Sequence, residues 1–227
     1  MFSGRIQKRI STVLVRIIHF RKIQTVISLL PDDETLQLSK SRNKTAVWYY
    51  SVKDVASNRF SFGEKLKNYI DIDVYGKGQL LTCNPYPARC VENVGKIYKF
   101  YLAFENALCE DYFTEKAFRA IEENLVPVIY SGANISNFLP PKSYIDANSF
   151  ETVKDLGNYL KFLSENENEY LKYFWWKKHY EIRQRWLDLC EVCEALNDIK
   201  TKDLRKSVES VNKFYILDKC TVPKIKF

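Results

Sequence analysis

Lys116 poses the clearest chemical question in this 227-residue sequence. It falls in the first turn of a helix that the residue pattern starts at Thr114, where a cation opposes the helix dipole at a cost of roughly a few tenths of a kcal/mol. The conflict disappears if Lys116 and the free backbone N–H groups of that turn share one anion, and phosphate suits both. The alternative is a solvated surface lysine. Two other sets of residues have chemical spacing. Asp71-Ile72-Asp73 could offer paired hard carboxylates to Mn²⁺ or Mg²⁺. Asp71 opens its strand, however, and so lies away from the carboxyl ends where α/β sheets bind ligands. Cys190-Glu191-Val192-Cys193 has the spacing of zinc ligands or a redox pair. Zinc would want a second pair of ligands, and His19 and His179 are the only histidines. A redox pair would want to follow a strand at a helix start, whereas Arg183 to Leu196 reads as helical throughout.

The elements that must position Lys116 lie on either side of it. Ile97 to Phe104 is an apolar and aromatic run that predicts a buried strand. A short polar loop follows, opening at Glu105 and Asn106. Thr114 suits a helix N-cap, with Ala117, Phe118, Ile121 and Leu125 at helical spacing. Val126 to Tyr130 is short and β-branched and ends at Ser131-Gly132. Strand, helix and strand over this length make a βαβ unit and hence a parallel sheet. A second such unit precedes it: strand Thr45 to Ser51, helix Phe60 to Tyr69 with Phe62, Leu66 and Tyr69 on one face, and strand Ile70 to Tyr75, closed by Gly76-Lys77-Gly78. Leu80 to Val94 predicts an irregular loop and Phe138 to Ser143 a turn. Val153, Leu156, Leu160 and Leu163 mark an amphipathic helix. Asn166 to Arg185 predicts another, with Tyr170, Leu171, Phe174 and Trp175 as its stripe. The fold class is α/β, a Rossmann-like parallel sheet with flanking helices.

Three segments, Phe100-Tyr-Leu-Ala-Phe-Glu-Asn106, Cys109-Glu-Asp-Tyr-Phe-Thr-Glu-Lys116 and Val126-Pro-Val-Ile129, closely resemble the donor-binding signature of the α-1,3-fucosyltransferases. The similarity continues to about Glu181 and runs back to about Thr45. The resemblance implies the C-terminal, nucleotide-sugar-binding half of a GT-B fold. It implies transfer of L-fucose from GDP-fucose to a glycan hydroxyl with inversion, and neither a cofactor nor a DxD metal. Arg59 and Lys116 then contact the diphosphate, Asn106 and Tyr112 donate hydrogen bonds, and Glu115 faces the sugar or ribose hydroxyls or stabilises positive charge at the fucose. From the residues alone, Arg59 would read as a solvated helix-start arginine. Two departures from the family pattern stand out: Ser51-Val52-Lys53 replaces its usual Ser-Asn-Cys, and Gly78 stands where it often has cysteine. The family's C-terminal CxxC forms structural disulfides, so Cys190 and Cys193 are expected to be disulfide-bonded, to each other or to more distant cysteines.

The family's base is a carboxylate of the N-terminal domain. Met1 to Arg42 offers Asp32, Asp33 and Glu34, none in a matching motif. That segment has no stretch of membrane-spanning length and no recognisable signal peptide. Residues 1–42 are therefore expected to be a divergent or truncated segment without the acceptor domain, 43–200 the GDP-fucose-binding domain, and 201–227 a tail. The resemblance places the protein in the Golgi lumen, at the cisterna membrane, through an anchor absent from this chain. Two N-glycosylation sequons, at Asn43 and Asn134, agree with a secretory route. Hydrophobic residues make up 46%, enough for a core, and a net charge of +7 suits an anionic ligand. It would equally suit nucleic acid or a membrane surface, but acidic residues are interspersed and no nucleic-acid motif is present. The alternatives are a non-catalytic GDP-fucose-binding relative and, from another class, a basic nucleic-acid or membrane-surface protein.

Overall fold

A strand in the middle of a parallel sheet must be apolar on both faces, and Tyr98–Phe104 is buried along almost its whole length. A computed structural model describes residues 17–22, 33–76, 94–110, 112–185 and 220. In chain order the main elements are β1 (Ile17–Lys22), α1 (Asp33–Ser41), β2 (Lys44–Tyr49), α2 (Arg59–Leu66), β3 (Ile72–Tyr75), β4 (Tyr98–Phe104), α3 (Glu115–Glu122), β5 (Val126–Tyr130), β6 (Ile145–Asp146), α4 (Val153–Glu165), α5 (Glu167–Leu171) and β7 (Tyr180–Arg185). Five strands form one sheet in the order β3-β2-β4-β5-β6, and every neighbouring pair in it is parallel. This is the Rossmann-like α/β architecture expected from the two βαβ units. The strands β1 and β7 form a separate antiparallel pair, from Ile17 opposite Arg185 to Lys22 opposite Tyr180.

Alternation along the strands feeds two cores. Phe100, Leu102 and Phe104 of β4, with Val126, Val128 and Tyr130 of β5, pack with Phe62 and Leu66 of α2 and with Val153, Leu156, Leu160 and Leu163 of α4. Tyr101, Ala103 and Ile129 face the other way, onto Ala117, Phe118 and Ile121 of α3. The glycine in α2 has a packing cause: a Cβ on Gly63 would lie 2.3 Å from the Trp48 ring. A capping box formed by Thr152 and Asp155 starts α4.

Several expectations are corrected. The segment from Asn166 to Arg185 is not one helix. It is α5, then a 3₁₀ stretch Lys172–Lys178, then β7, so Arg183 to Arg185, read as the start of a helix running to Leu196, are strand, paired with β1. Tyr170, Leu171 and Phe174 belong to one core and Trp176 to the other. A single helical stripe cannot serve both faces of a sheet, so the helix gives way. Tyr69 lies beyond α2 and is 38% exposed. Leu125 is buried but follows the end of α3. The strands β2 and β3 are shorter than the apolar runs, ending at Tyr49 and starting at Ile72. Val94 opens a 3₁₀ turn, Val94–Lys96; the rest of the predicted Leu80–Val94 loop, Cys190 and Cys193 lie outside the described residues.

At the amino ends of the strands sits a buried arginine to which the sequence pattern gave no role. Arg42 donates from Nε to the Gly95 carbonyl (2.7 Å), from Nη2 to the Asn124 carbonyl (2.7 Å) and from Nη1 to the Tyr170 hydroxyl (2.8 Å). It thereby ties the end of α1 to three other parts of the fold.

Candidate functional site

β4 ends at Phe104, and the chain turns through Glu105 and Asn106 before entering α3. Neighbouring loops hold this turn on both sides. Ser57, between β2 and α2, donates its backbone N–H to the Asn106 carbonyl (3.0 Å) and its hydroxyl to the Glu105 carbonyl (2.7 Å). The Tyr130 hydroxyl, at the end of β5, donates to the Ser57 carbonyl (3.3 Å). Beyond β5, Ser131 donates to the Tyr112 carbonyl (2.9 Å), and the Asn148 amide donates to the Ser131 carbonyl (2.8 Å). Gly132 approaches the same loop so closely that a Cβ on it would lie 2.3 Å from the Leu108 carbonyl carbon. Cys109 is disulfide-bonded to Cys220, 111 residues further along the chain. The loop at the carboxyl end of the central strand is thus fixed from several directions, at the place where open α/β sheets bind ligands.

Within it lies a buried ion pair. The Glu105 side chain is 2% exposed, and its Oε2 accepts from Lys116 Nζ at 2.5 Å. Its Oε1 accepts the Thr114 backbone N–H at 2.7 Å, and the Thr114 hydroxyl lies 2.8 Å from both carboxylate oxygens. Lys116 also donates to the Thr114 hydroxyl, at 2.6 Å. Lys116 therefore does share an anion with the head of α3, as the dipole argument requires, but that anion is the protein's own carboxylate. The solvated-lysine alternative is overturned, since the side chain is only 17% exposed. The Thr114 expectation is corrected as well. Thr114 holds the N-cap position with extended backbone, but its hydroxyl turns to Glu105 instead of capping the helix. The backbone N–H groups of Glu115, Lys116 and Ala117 are left without an acceptor among the described residues. So is one of the three ammonium protons of Lys116.

Arg59 is the first residue of α2 and is buried, which overturns its reading as a solvated helix-start arginine. It donates from Nη1 to the Phe104 carbonyl (2.9 Å) and from Nη2 to the Val52 carbonyl (3.1 Å). Its Nε is buried with no acceptor among the described residues. Burial pulls the guanidinium below its ordinary pKa, while the charge of Glu105 and the neighbouring Tyr112 oppose this. Even so lowered, an arginine stays charged near neutrality.

Tyr112 is 36% exposed. Burial, then the charges of Glu105 and Glu115, push its hydroxyl pKa up, so it remains a hydrogen-bond donor. Glu115 is 40% exposed and faces Arg119 one turn along α3 at 3.7 Å. The Asn106 side chain makes no hydrogen bond among the described residues, while its carbonyl holds Ser57. Arg59, Tyr112, Glu115 and Lys116 thus gather around Glu105, and Asn106 adjoins it in sequence. Asp73 is paired within the protein: its Oδ2 accepts from Lys44 Nζ and the Tyr98 hydroxyl, both at 2.5 Å. Asp71 lies before β3, not in it. Among the described residues no group of three or more His, Cys, Asp or Glu comes together as metal ligands would.

Sequence reasoning passed over Glu105 and Ser57 as parts of this site. The signal for Glu105 was a carboxylate ending a seven-residue buried run; Ser57 carries no local signal, because its partners come from β4 and β5.

Residues 39–214 match the family model of glycosyltransferase family 10 (fucosyltransferase), C-terminal part. Alpha-(1,3)-fucosyltransferase C of Drosophila melanogaster is 38% identical over 167 residues, covering 74% of this chain and 39% of that protein. The alpha-(1,3)-fucosyltransferase fut-1 of Caenorhabditis elegans is 32% identical over 167 residues, covering 69% of this chain and 39% of that protein. The chain thus spans about two fifths of the length of these relatives. A crystal structure of an alpha1,3-fucosyltransferase with GDP-fucose superposes with a TM-score of 0.51 at 22% identity, covering 62% of this chain and 43% of that one. A second, with GDP, gives 0.52 at 21% identity, covering 74% and 53%. At these identities the likeness is one of fold.

Proposed function

Because the chain belongs to glycosyltransferase family 10, the fucosyltransferases, we propose that it is the donor-binding part of an enzyme that transfers L-fucose from GDP-fucose to a glycan hydroxyl. The observation that carries this reading is the pairing of two held cations at the carboxyl end of the sheet. Arg59 is buried, and its Nε has no acceptor among the described residues. Lys116 is fixed at the head of α3, and one of its ammonium protons has no acceptor among the described residues. Beside them are three backbone N–H groups without an acceptor among the described residues, the donor set a diphosphate wants. Tyr112 and Asn106 add side-chain donors, and Glu115 faces the sugar or ribose hydroxyls.

In an inverting displacement the acceptor oxygen attacks the anomeric carbon as the bond to the diphosphate breaks, and the acceptor hydroxyl's proton passes to a general base, in the family a carboxylate of the N-terminal domain. Negative charge grows on the departing diphosphate. Arg59 and Lys116 would stabilise it from positions already organised before reaction, so little reorganisation opposes them. The Cys109–Cys220 disulfide supports an oxidising compartment, in keeping with action in the Golgi lumen. No helix among the described residues is long and apolar enough to cross a membrane.

Calorimetric titration with GDP, UDP and ADP tests the binding reading, and fucose transfer from GDP-fucose to glycan acceptors tests the reaction. GDP-selective binding that weakens in Lys116→Ala by about tenfold or more is expected, since losing a charge-assisted contact costs about 1.5–3 kcal/mol. Equal affinity for the three nucleotides, or a Lys116→Ala chain that binds GDP like the parent, would refute it.

A further inference from the structure

A lysine carries a flexible four-carbon stem, and its charge reaches one place only if something fixes it there. In this site the fixing group is Glu105, which takes no part in the donor-binding proposal. Its carboxylate is buried, it receives Lys116 on one oxygen, and it receives the Thr114 N–H on the other. The Thr114 hydroxyl bridges carboxylate and ammonium. The carboxylate in turn is fixed through its own backbone: its N–H donates to the Tyr130 carbonyl at 2.9 Å, and its C=O accepts the Ser57 hydroxyl. A rigid path therefore runs from the ends of β4 and β5 to one ammonium. Glu105 takes only the Thr114 N–H from the head of α3, and the next three have no acceptor among the described residues. An incoming anion can thus bind there without expelling the carboxylate.

We propose that Glu105 is a positioning residue that holds the Lys116 ammonium at the head of α3, oriented toward the anion. This rests on the donor-binding reading given above, in which Lys116 meets the diphosphate. Holding the ammonium in advance removes the ordering cost from the binding step. The competing effect is Coulombic: a carboxylate beside a diphosphate repels it. The two effects predict opposite signs when the charge is removed, which makes the proposal testable.

The experiment is a double-mutant cycle on GDP binding with the full chain: parent, Glu105→Gln, Lys116→Ala and the double variant, each also followed by thermal unfolding. Glu105→Gln is expected to weaken GDP binding about tenfold and to have no further effect in the Lys116→Ala background. Equal weakening in both backgrounds would mean that Glu105 only supports the loop, and would overturn the proposal. Unchanged or tighter binding would overturn it too, in favour of repulsion. In either case Lys116→Ala would still weaken GDP, so the donor-binding reading would survive. If Lys116→Ala itself binds GDP normally, that reading fails, and the positioning role falls with it. Should Glu105→Gln not fold, Thr114→Val removes the bridging hydroxyl, keeps both charges and reads out the same Lys116-dependent loss.

Discussion

Replacing Gly132 by alanine tests whether the loop after β4 is held as tightly as its contacts indicate. The new Cβ would stand 2.3 Å from the Leu108 carbonyl carbon, 2.4 Å from its oxygen and 2.8 Å from the Cys109 nitrogen. All three are backbone atoms, so no side chain can swing aside. Gly132 does not occupy the left-handed region, so the penalty is steric and not conformational. Relief requires the loop to move by about an ångström, and overpacking of this kind costs about 1–3 kcal/mol. Alanine also restricts the unfolded chain, which returns about 0.4–1 kcal/mol. The net loss is then on the order of 1–2 kcal/mol, read as a lower urea midpoint at unchanged slope. The displaced segment leads directly into Tyr112 and the head of α3, so GDP binding should weaken with it. Unchanged stability together with unchanged GDP affinity would refute the close contact and the account of a fixed loop.

Arg42→Met should destabilise the chain by about 1–3 kcal/mol by leaving the buried Gly95 carbonyl and the half-buried Asn124 carbonyl without their donor; a urea midpoint like the parent's would refute this. Asp73 gives a pH signature. Burial pushes its carboxyl pKa up, but the hydrogen bonds from Lys44 and Tyr98 outweigh this and hold it below the ordinary value. Its folded pKa thus lies below the unfolded one of about 3.9. The stability it contributes is present above that pH and is lost as pH falls through the folded pKa. Asp73→Asn should therefore flatten the acid limb of the stability–pH curve, and an acid limb identical to the parent's would contradict the pairing. Cys109→Ser opens a cross-link over 111 residues and should cost about 2–4 kcal/mol. Non-reducing peptide mapping checks the bond first, and a free Cys109 thiol in the oxidised protein would refute it.

The parallel sheet was legible because its strands are buried on both faces and so appear as apolar runs: Tyr98–Phe104 and Val126–Tyr130 could be placed within a residue. The electrostatic problem at Lys116 was legible too, because the helix dipole is a local property. Its solution was not, since Glu105 lies eleven positions earlier and on a different element. The same holds for Ser57, whose partners are Asn106, Glu105 and Tyr130. Arg42 reads as one more basic residue until Gly95, Asn124 and Tyr170 close around it. The region after Asn166 misled because aromatics at helical spacing do not say which face of a sheet each will enter. Local pattern carries period and polarity, whereas these features depend on contacts between distant parts of the chain.

The central claim is that a diphosphate is held between Lys116 and Arg59 at the head of α3. A crystal structure of the chain with GDP tests it most directly. The account predicts phosphate oxygens at about 2.7–2.9 Å from Lys116 Nζ, with the Arg59 guanidinium and the first-turn N–H groups of α3 also on the diphosphate and Glu105 still paired to Lys116. A diphosphate bound elsewhere, with Lys116 and Arg59 both out of contact, would contradict it.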